Sequence, residues 1–243
     1  MKAMIFAAGI GSRLQPLTWE KPKALVEVGG KTMLEHTILH LKHYGIRSIV
    51  INVHHFAGQI RQFVEQKEDF GLDIAFSDET EQLLDTGGGL KKASWFFKDE
   101  EPFIVHNVDV LSNLDLNQLY QYHLRQHALA TLAVRKRESS RYLLFDSGNR
   151  LCGWENLKKG QKKLIRPADH YKRLAFSGIH VIDPALFQMM PRDKVFSITQ
   201  TYLDVGYKCN IQGFLEKESW WFDIGNLDNL QKAEDFIRSG QNE

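Results

Sequence analysis

The chain has 243 residues, of which 43% are hydrophobic and 25% charged, so it can bury an ordinary globular core. Its formal net charge of +1 and its two cysteines, Cys152 and Cys209, predict no nucleic-acid or membrane partner and no disulfide framework. No signal-peptide pattern is visible and no apolar run approaches the roughly 20 residues that span a bilayer, so we expect a cytoplasmic protein.

The first half of the chain alternates short apolar runs with helical periodicity, which is typical of a mostly parallel sheet with crossover helices. The predicted strands of this half are Ala3–Ala8, Ser48–Val53, Ile74–Phe76, Phe103–Val108 and Leu129–Val134. Thr32, Thr86 and Asp115 are predicted to cap the helices that lie between them.

The pattern changes after residue 135. Tyr142–Phe145 and Leu151–Trp154 flank a turn at residues 146–149, which predicts a hairpin. Phe176–Ile182 predicts a further strand, and Asn226 can cap a final amphipathic helix. We therefore expect an α/β fold, a Rossmann-like, doubly wound, mostly parallel mixed sheet in a single domain over residues 1–243.

A glycine-rich loop follows the first predicted strand. Glycines there allow backbone N–H groups to approach phosphate oxygens, and Arg13 and Lys23 can add bidentate and compact positive charge. The loop is not a P-loop, and Leu14 breaks the dinucleotide pattern at its third glycine. The phosphate-binding candidates are Ala8, Gly9, Gly11, Ser12, Arg13 and Lys23.

The motif Ala8-Gly-x-Gly-x-Arg-x-x-Pro-x-Thr-x-x-x-Pro-Lys23 resembles the N-terminal motif of the sugar nucleotidylyltransferases, and the resemblance runs along essentially the whole chain. It implies a nucleotide-diphospho-sugar transferase fold with NTP and sugar 1-phosphate as partners. It also implies a nucleotide-binding half over residues 1–135 and a sugar-phosphate-binding half over residues 136–243. In the family, an arginine like Arg13 stabilises the leaving pyrophosphate, and a lysine like Lys23 contacts the α-phosphate.

Two aspartates end apolar runs, Asp109 after Phe103–Val108 and Asp223 in a Trp-x-Asp-x-Gly sequence. Carboxylates at the carboxyl ends of neighbouring strands can share one crevice and, with phosphate oxygens, suit Mg²⁺. The resemblance implies that both bind the metal cofactor, Mg²⁺, and that Asn107 contacts the sugar phosphate. Val108 departs from the glycine that the family has at its position.

The segment Leu84–Gly89 places glycines at a predicted helix start, where a flat base can lie against Thr86, Gly87 and Gly88. Its Leu-x-Thr-Gly-Gly-Gly form, and the absence of a β-helix after it, resemble the N-acetylmuramate 1-phosphate uridylyltransferases. This resemblance favours UTP and N-acetylmuramate 1-phosphate as substrates. A GTP-dependent mannose- or heptose-1-phosphate guanylyltransferase is the alternative.

The sugar-phosphate candidates of the second half are Gly178, which matches a family strand against the sugar, together with Glu155 and Arg141. Glu155 stands in a degraded form of the Glu-Lys-Pro motif of many members. Two other functions stay open at this point. A choline-phosphate cytidylyltransferase needs an aromatic cage, for which Trp154, Trp220 and Trp221 are available. A non-catalytic nucleotide-sugar sensor needs the same pocket without the reaction.

Overall fold

The computed structural model describes residues 1–99 and 101–240. The strands are β1 (Lys2–Phe6), β2 (Glu27–Val28), β3 (Lys31–Thr32), β4 (Ser48–Val53), β5 (Asp73–Asp78), β6 (Phe103–Asn107), β7 (Val110–Ser112), β8 (Ala130–Arg135), β9 (Arg141–Phe145), β10 (Leu151–Asn156), β11 (Gln161–Leu164), β12 (Lys172–Ile182), β13 (Ile211–Leu215) and β14 (Trp221–Asp223). The helices are α1 (Met33–His43), α2 (Ala57–Gln66), α3 (Asp85–Lys92), α4 (Leu116–Gln126), α5 (Ile198–Val205) and α6 (Leu227–Arg238).

The chain forms two compact units, and the first comprises Met1–Leu84, Val105–Leu114 and Ser219–Glu243. Its core is a parallel sheet in which β4 pairs with β1 on one side and with β5 on the other. The side chains of β1 and β4 are almost all buried, as expected for parallel strands covered on both faces. This sheet carries the glycine loop at the end of β1.

The second unit comprises Asp85–Ile104 and Asp115–Glu218. Here β9, β10 and β11 form an antiparallel meander, β12 pairs antiparallel with β8 and β9, and β13 runs parallel to β8. The predicted hairpin at residues 142–154 is therefore present. Its turn is closed by the N–H of Asn149, which donates to the carbonyl oxygen of Asp146 at 3.1 Å.

Three predicted helix caps are confirmed by side-chain hydrogen bonds to orphan N–H groups. Thr32 accepts from Glu35 at 3.1 Å, Asp115 from Gln118 at 3.0 Å, and Asn226 from Asn229 at 2.9 Å. Thr86 does not follow the prediction. Helix α3 begins at Asp85, so Thr86 lies inside the helix. A carboxylate oxygen of Asp85 accepts from the N–H of Thr86 at 2.6 Å.

The elements give the mixed α/β sheet with a parallel core that the sequence predicts. Two expected strand ends are different, however. Strand β6 stops at Asn107, so Asp109 lies in the turn before β7. Asp223 ends β14, but this strand pairs with β7 in a separate two-stranded ribbon and is not part of the parallel sheet. Among the described residues, no helix is both long and apolar enough to cross a membrane.

Candidate active site

The glycine loop leaves the sheet after β1 and folds back over itself. Gly11 has a φ of 72°, and its carbonyl oxygen accepts from the N–H of Leu14 and from the hydroxyl of Thr18, both at 2.9 Å. A Cβ at Gly11 would lie 2.9 Å from Cβ of Lys23. Gly11 is thus required both by its backbone conformation and by the close passage of Lys23.

The remaining loop candidates differ in exposure. Ala8 is buried, whereas Gly9, Ser12 and Arg13 are exposed at the start of the loop. An added Cβ at Gly9 would meet no atom within 4 Å. The fold itself therefore gives no packing reason for glycine at this position, in contrast to Gly11.

A buried chain of polar groups supports the base of the loop. The side-chain oxygen of Asn52 accepts from the N–H of Ala7 at 2.7 Å, and its amide nitrogen donates to Glu79 at 2.8 Å. Glu79 also accepts from the N–H of Leu84 at 3.1 Å. Sequence analysis missed Asn52 and Glu79. The signal was a single amide inside the apolar run of β4.

The two candidate metal ligands are brought together by the β7–β14 ribbon. Asp223 is the register partner of Val110, the residue after Asp109. The N–H of Ile224 donates to the carbonyl oxygen of Asp109 at 2.8 Å. The pairing of two three-residue strands thus fixes both carboxylates at one end of the ribbon.

Two basic side chains from the glycine-loop region lie near these carboxylates. The ammonium of Lys23 donates to Oδ2 of Asp109, and the two side chains are only 9% and 24% exposed. A Cβ at Gly225 would lie 2.8 Å from Oδ1 of Asp223 and 3.1 Å from Nη2 of Arg13. Gly225, which sequence analysis did not select, therefore leaves the room in which Arg13 and Asp223 approach one another.

The carboxylate pair fits Mg²⁺ by its chemistry. Asp109 and Asp223 offer hard oxygen donors, and both residues keep part of their surface exposed. Across the described ranges, no group of three or more His, Cys, Asp or Glu residues could hold a metal ion. A cation at this pair therefore needs further oxygen ligands from water or phosphate, which is the usual situation of Mg²⁺ at nucleotide sites.

Asn107 and His106 lie at the end of β6, just before Asp109. His106 is buried, and its Nδ1 lies 2.9 Å from the carbonyl oxygen of Asn107. Burial, aided by the charge of His40, lowers the pKa of His106 to about 3. The ring is therefore neutral near pH 7, and Nδ1 must carry the proton that it donates to the carbonyl.

The base-binding candidates lie in the second unit. The N–H groups of Gly87 and Gly88 donate to the carbonyl oxygen of Phe196 at 2.8 and 3.2 Å. A Cβ at Gly87 would lie 2.4 Å from the Phe196 ring. The hydroxyl of Thr86 accepts from the N–H of Ile198 at 3.0 Å. The close Phe196 ring gives Gly87 a structural reason, and contact of this segment with a base stays a prediction.

The sugar-phosphate candidates of the second unit do not share one environment. Glu155 is buried and forms an ion pair with Arg173 on β12. Arg141 is exposed at the start of β9 and lines a cavity of about 440 Å³. Gly178 has a φ of 81° within the irregular part of β12. The left-handed backbone conformation at this position is therefore one reason for a glycine there.

Comparison with known proteins identifies one family and several relatives of this chain. The model of a family described as nucleotidyl transferase matches residues 2–240. A mannose-1-phosphate guanyltransferase of Yarrowia lipolytica is 31% identical over 232 residues, which is 93% of this chain. The chain spans only 61% of the length of that relative. An N-acetylmuramate alpha-1-phosphate uridylyltransferase of Caulobacter vibrioides is 43% identical over 109 residues, 44% of this chain and 45% of that protein.

Solved structures share the fold. HddC from Yersinia pseudotuberculosis complexed with GMP-PN has a TM-score of 0.79 at 20% identity, covering 97% of this chain and 99% of that one. A UDP-glucose pyrophosphorylase complexed with UDP-glucose has a TM-score of 0.80 at 14% identity, covering 98% of both chains. The predicted fold class, an α/β nucleotidyltransferase fold with a mostly parallel core, is confirmed.

Proposed function

We propose, starting from the fact that this chain belongs to the nucleotidyl transferase family, that it transfers a nucleoside monophosphate from an NTP to a sugar 1-phosphate. One observation carries the proposal. The first unit brings Lys23 of the glycine loop onto Asp109, beside the strand that holds Asp223. A glycine loop that can bind phosphate, a positive charge and two hard-oxygen ligands are the groups that phosphoryl chemistry needs.

The reaction is an in-line exchange at the α-phosphorus. A phosphate oxygen of the sugar 1-phosphate forms the new bond, the bond to the bridging α–β oxygen breaks, and pyrophosphate leaves with that electron pair. Arg13, which is exposed on the loop, is proposed to hold the leaving phosphates bidentately. Lys23 supplies positive charge to the α-phosphate oxygens, on which negative charge builds during attack.

Asp109 and Asp223 would hold Mg²⁺, which neutralises phosphate charge when it is bound. Before substrate arrives, Lys23 occupies Asp109 as its counter-charge. The same lysine could then transfer its contact to a phosphate that approaches a Mg²⁺ held by that carboxylate pair. Thus the ion pair keeps a buried ammonium satisfied in the free protein and ready for the anionic substrate.

For the base we propose guanine. The guanyltransferase relative matches 93% of this chain, whereas the uridylyltransferase matches 44%. A fold neighbour also carries a guanine nucleotide analogue, GMP-PN. The corresponding acceptor is a mannose- or heptose-type sugar 1-phosphate. UTP with N-acetylmuramate 1-phosphate is the second candidate, supported by the Leu84–Gly89 sequence and by the 43% identity within the shorter match.

The other two functions have less support. Trp220 packs against Phe222 and Phe236, with ring centroids 6.2 and 5.4 Å away, in a half-buried aromatic cluster of the first unit. An aromatic cage for choline then lacks one of its proposed walls. A sensor without catalysis is disfavoured because Arg13, Lys23 and both aspartates are present in one unit.

A matrix of GTP, UTP, CTP, ATP and dTTP against sugar 1-phosphates tests the proposal, with pyrophosphate release as the readout. GTP should exceed UTP by roughly tenfold or more in kcat/KM, about 1.4 kcal/mol, because a wrong base leaves buried polar groups unpaired. Preference for UTP would select the second candidate. No pyrophosphate from any pair would contradict the proposed reaction.

A further inference from the structure

The second unit contains a cavity of about 440 Å³, bounded by β9, β10, β12 and the start of α5. Three basic side chains, Arg137, Arg141 and Lys163, line it together with Trp154 and Phe176. None of the described residues that line the cavity is acidic. The cavity therefore combines apolar surface with an excess of positive charge.

The strand register explains why these side chains face one space. Trp154 is paired with Leu143, and Asn156 with Arg141, so Arg141 and Trp154 project from the same face of the β9–β10 hairpin. Glu155 alternates to the opposite face, where it is paired with Arg173. Alternation thus removes the nearby carboxylate from the cavity and leaves the cations in it.

The three cations are held to different degrees. Arg137 donates to the carbonyl oxygens of Phe176 and Glu138, both at 3.2 Å, which anchors it to the cavity wall. Lys163 pairs with Asp204 at 3.0 Å, but both side chains are about half exposed, so the pair exchanges readily with solvent. No side-chain hydrogen bond or ion pair holds the guanidinium of Arg141 within the described chain.

We propose that this cavity receives a substituent of the acceptor sugar, and that the preferred acceptor carries an acidic group, a carboxylate or a second phosphate, in addition to its 1-phosphate. The inference rests on the proposed function and narrows its substrate class. The planar guanidinium of Arg141 can donate two parallel N–H bonds to such a group. Trp154 and Phe176 offer faces for the C–H bonds of the sugar.

The location agrees with one other acceptor candidate of the second unit. Phe176 lies two residues before Gly178 on β12, whereas Glu155 lies on the opposite face of the hairpin. For a manno-configured acceptor, the acidic group is a uronic carboxylate or an additional phosphate. For the second candidate, it is the lactyl carboxylate that distinguishes N-acetylmuramate from N-acetylglucosamine.

Matched pairs of acceptors test the inference: mannose 1-phosphate against mannuronate 1-phosphate, and N-acetylglucosamine 1-phosphate against N-acetylmuramate 1-phosphate. The members of each pair differ in one acidic group and share the 1-phosphate. Wild-type protein should prefer the acidic member of at least one pair by tenfold or more in kcat/KM, with the NTP from the matrix held saturating. Calorimetric binding of the same acceptors gives a readout that does not require turnover.

Arg141→Gln should reduce that preference at least tenfold, because most of its effect falls on the acidic acceptor. Arg125→Gln, which changes an exposed arginine on α4, is the matched control and should keep the wild-type preference. Equal losses of kcat/KM for both members of a pair would show that Arg141 binds the 1-phosphate, which overturns the inference. Preference for the neutral members would also overturn it. In both cases the pyrophosphate released with neutral acceptors leaves the proposed reaction standing.

Discussion

Lys23 donates its ammonium to Oδ2 of Asp109, although 86 residues separate the two in the chain. The contact joins the segment that follows the glycine loop to the turn after β6, which carries one of the two candidate metal ligands. Both groups are thereby held where the α-phosphate is proposed to react.

Lys23→Ala should reduce kcat more than it raises KM for the NTP. Its charge is proposed to act on the α-phosphate as negative charge builds there, so the loss falls mainly on the transition state. Steady-state kinetics at saturating sugar phosphate measure the two constants. Lys21→Ala, in the same segment, is the control and should leave both near wild type. A change confined to KM would instead assign Lys23 to uniform substrate binding.

Asp109→Asn and Asp223→Asn should each lower turnover by about 100-fold or more, since a metal at this pair supplies several kcal/mol of charge stabilisation. Titration of Mg²⁺ should show a lower apparent affinity for the metal in each variant. The thermal midpoint without metal should fall in Asp109→Asn, because that change leaves the buried ammonium of Lys23 without its counter-charge. Asp73→Asn alters an exposed carboxylate at the start of β5 and serves as the control. Near-wild-type turnover at saturating Mg²⁺ in either variant would remove that residue from the metal site.

The two loop glycines should respond differently to alanine. Gly9→Ala should leave the thermal midpoint unchanged, because its Cβ meets no atom, but should raise KM for the NTP if a phosphate approaches this backbone. Gly11→Ala should lose stability and turnover together, since its φ is 72° and its Cβ would strike Lys23. Gly58→Ala, on α2, is a control with open space around it. An unchanged KM in Gly9→Ala would contradict the proposed phosphate contact.

The sequence identified Asp109 and Asp223 individually because each follows an apolar run and stands in a recognisable motif. It did not reveal how they meet. Strands of three residues have almost no periodicity, and their pairing spans more than 100 residues of sequence, so local pattern carries no information about it. The ribbon is a product of tertiary packing.

Glycine patterns were also informative only in part. The sequence of Gly87–Gly89 suggested room for a base, yet the ring of Phe196 fills the space beside Gly87. Gly11 has a conformational reason that the motif alone could not separate from phosphate binding. A glycine in a sequence can indicate that a side chain does not fit at that position. Only the structure shows which group would clash with it.

Folding stability should fall as the pH is lowered from about 6.5 toward 4, in part through His123. Burial lowers the pKa of His123 to about 4, against an opposing effect of Asp183, whereas 6.5 is its ordinary value. In that window the unfolded chain binds a proton that the folded chain does not, so folding loses up to about 1.4 kcal/mol per pH unit. The contribution of His123 to folding stability is therefore fully present above about pH 6.5.

Urea unfolding of wild type and His123→Gln at several pH values measures this effect. The glutamine can still bond to Thr131, whose hydroxyl lies 3.0 Å from Nδ1 of His123, but it cannot titrate. The variant should therefore show a shallower loss of stability between pH 6.5 and 4. His170→Gln, at an exposed position, should keep the wild-type slope. Identical slopes for all three proteins would show that His123 does not contribute.

Phosphorus NMR of the complete reaction tests the central claim most directly, because it identifies which phosphorus is attacked. With an NTP, a sugar 1-phosphate and Mg²⁺, the account predicts equal amounts of pyrophosphate and an NDP-sugar, both absent in the Lys23→Ala and Asp109→Asn proteins on the same timescale. Inorganic phosphate and free NDP as the products would place the attack at the γ-phosphorus. That result would contradict nucleotidyl transfer.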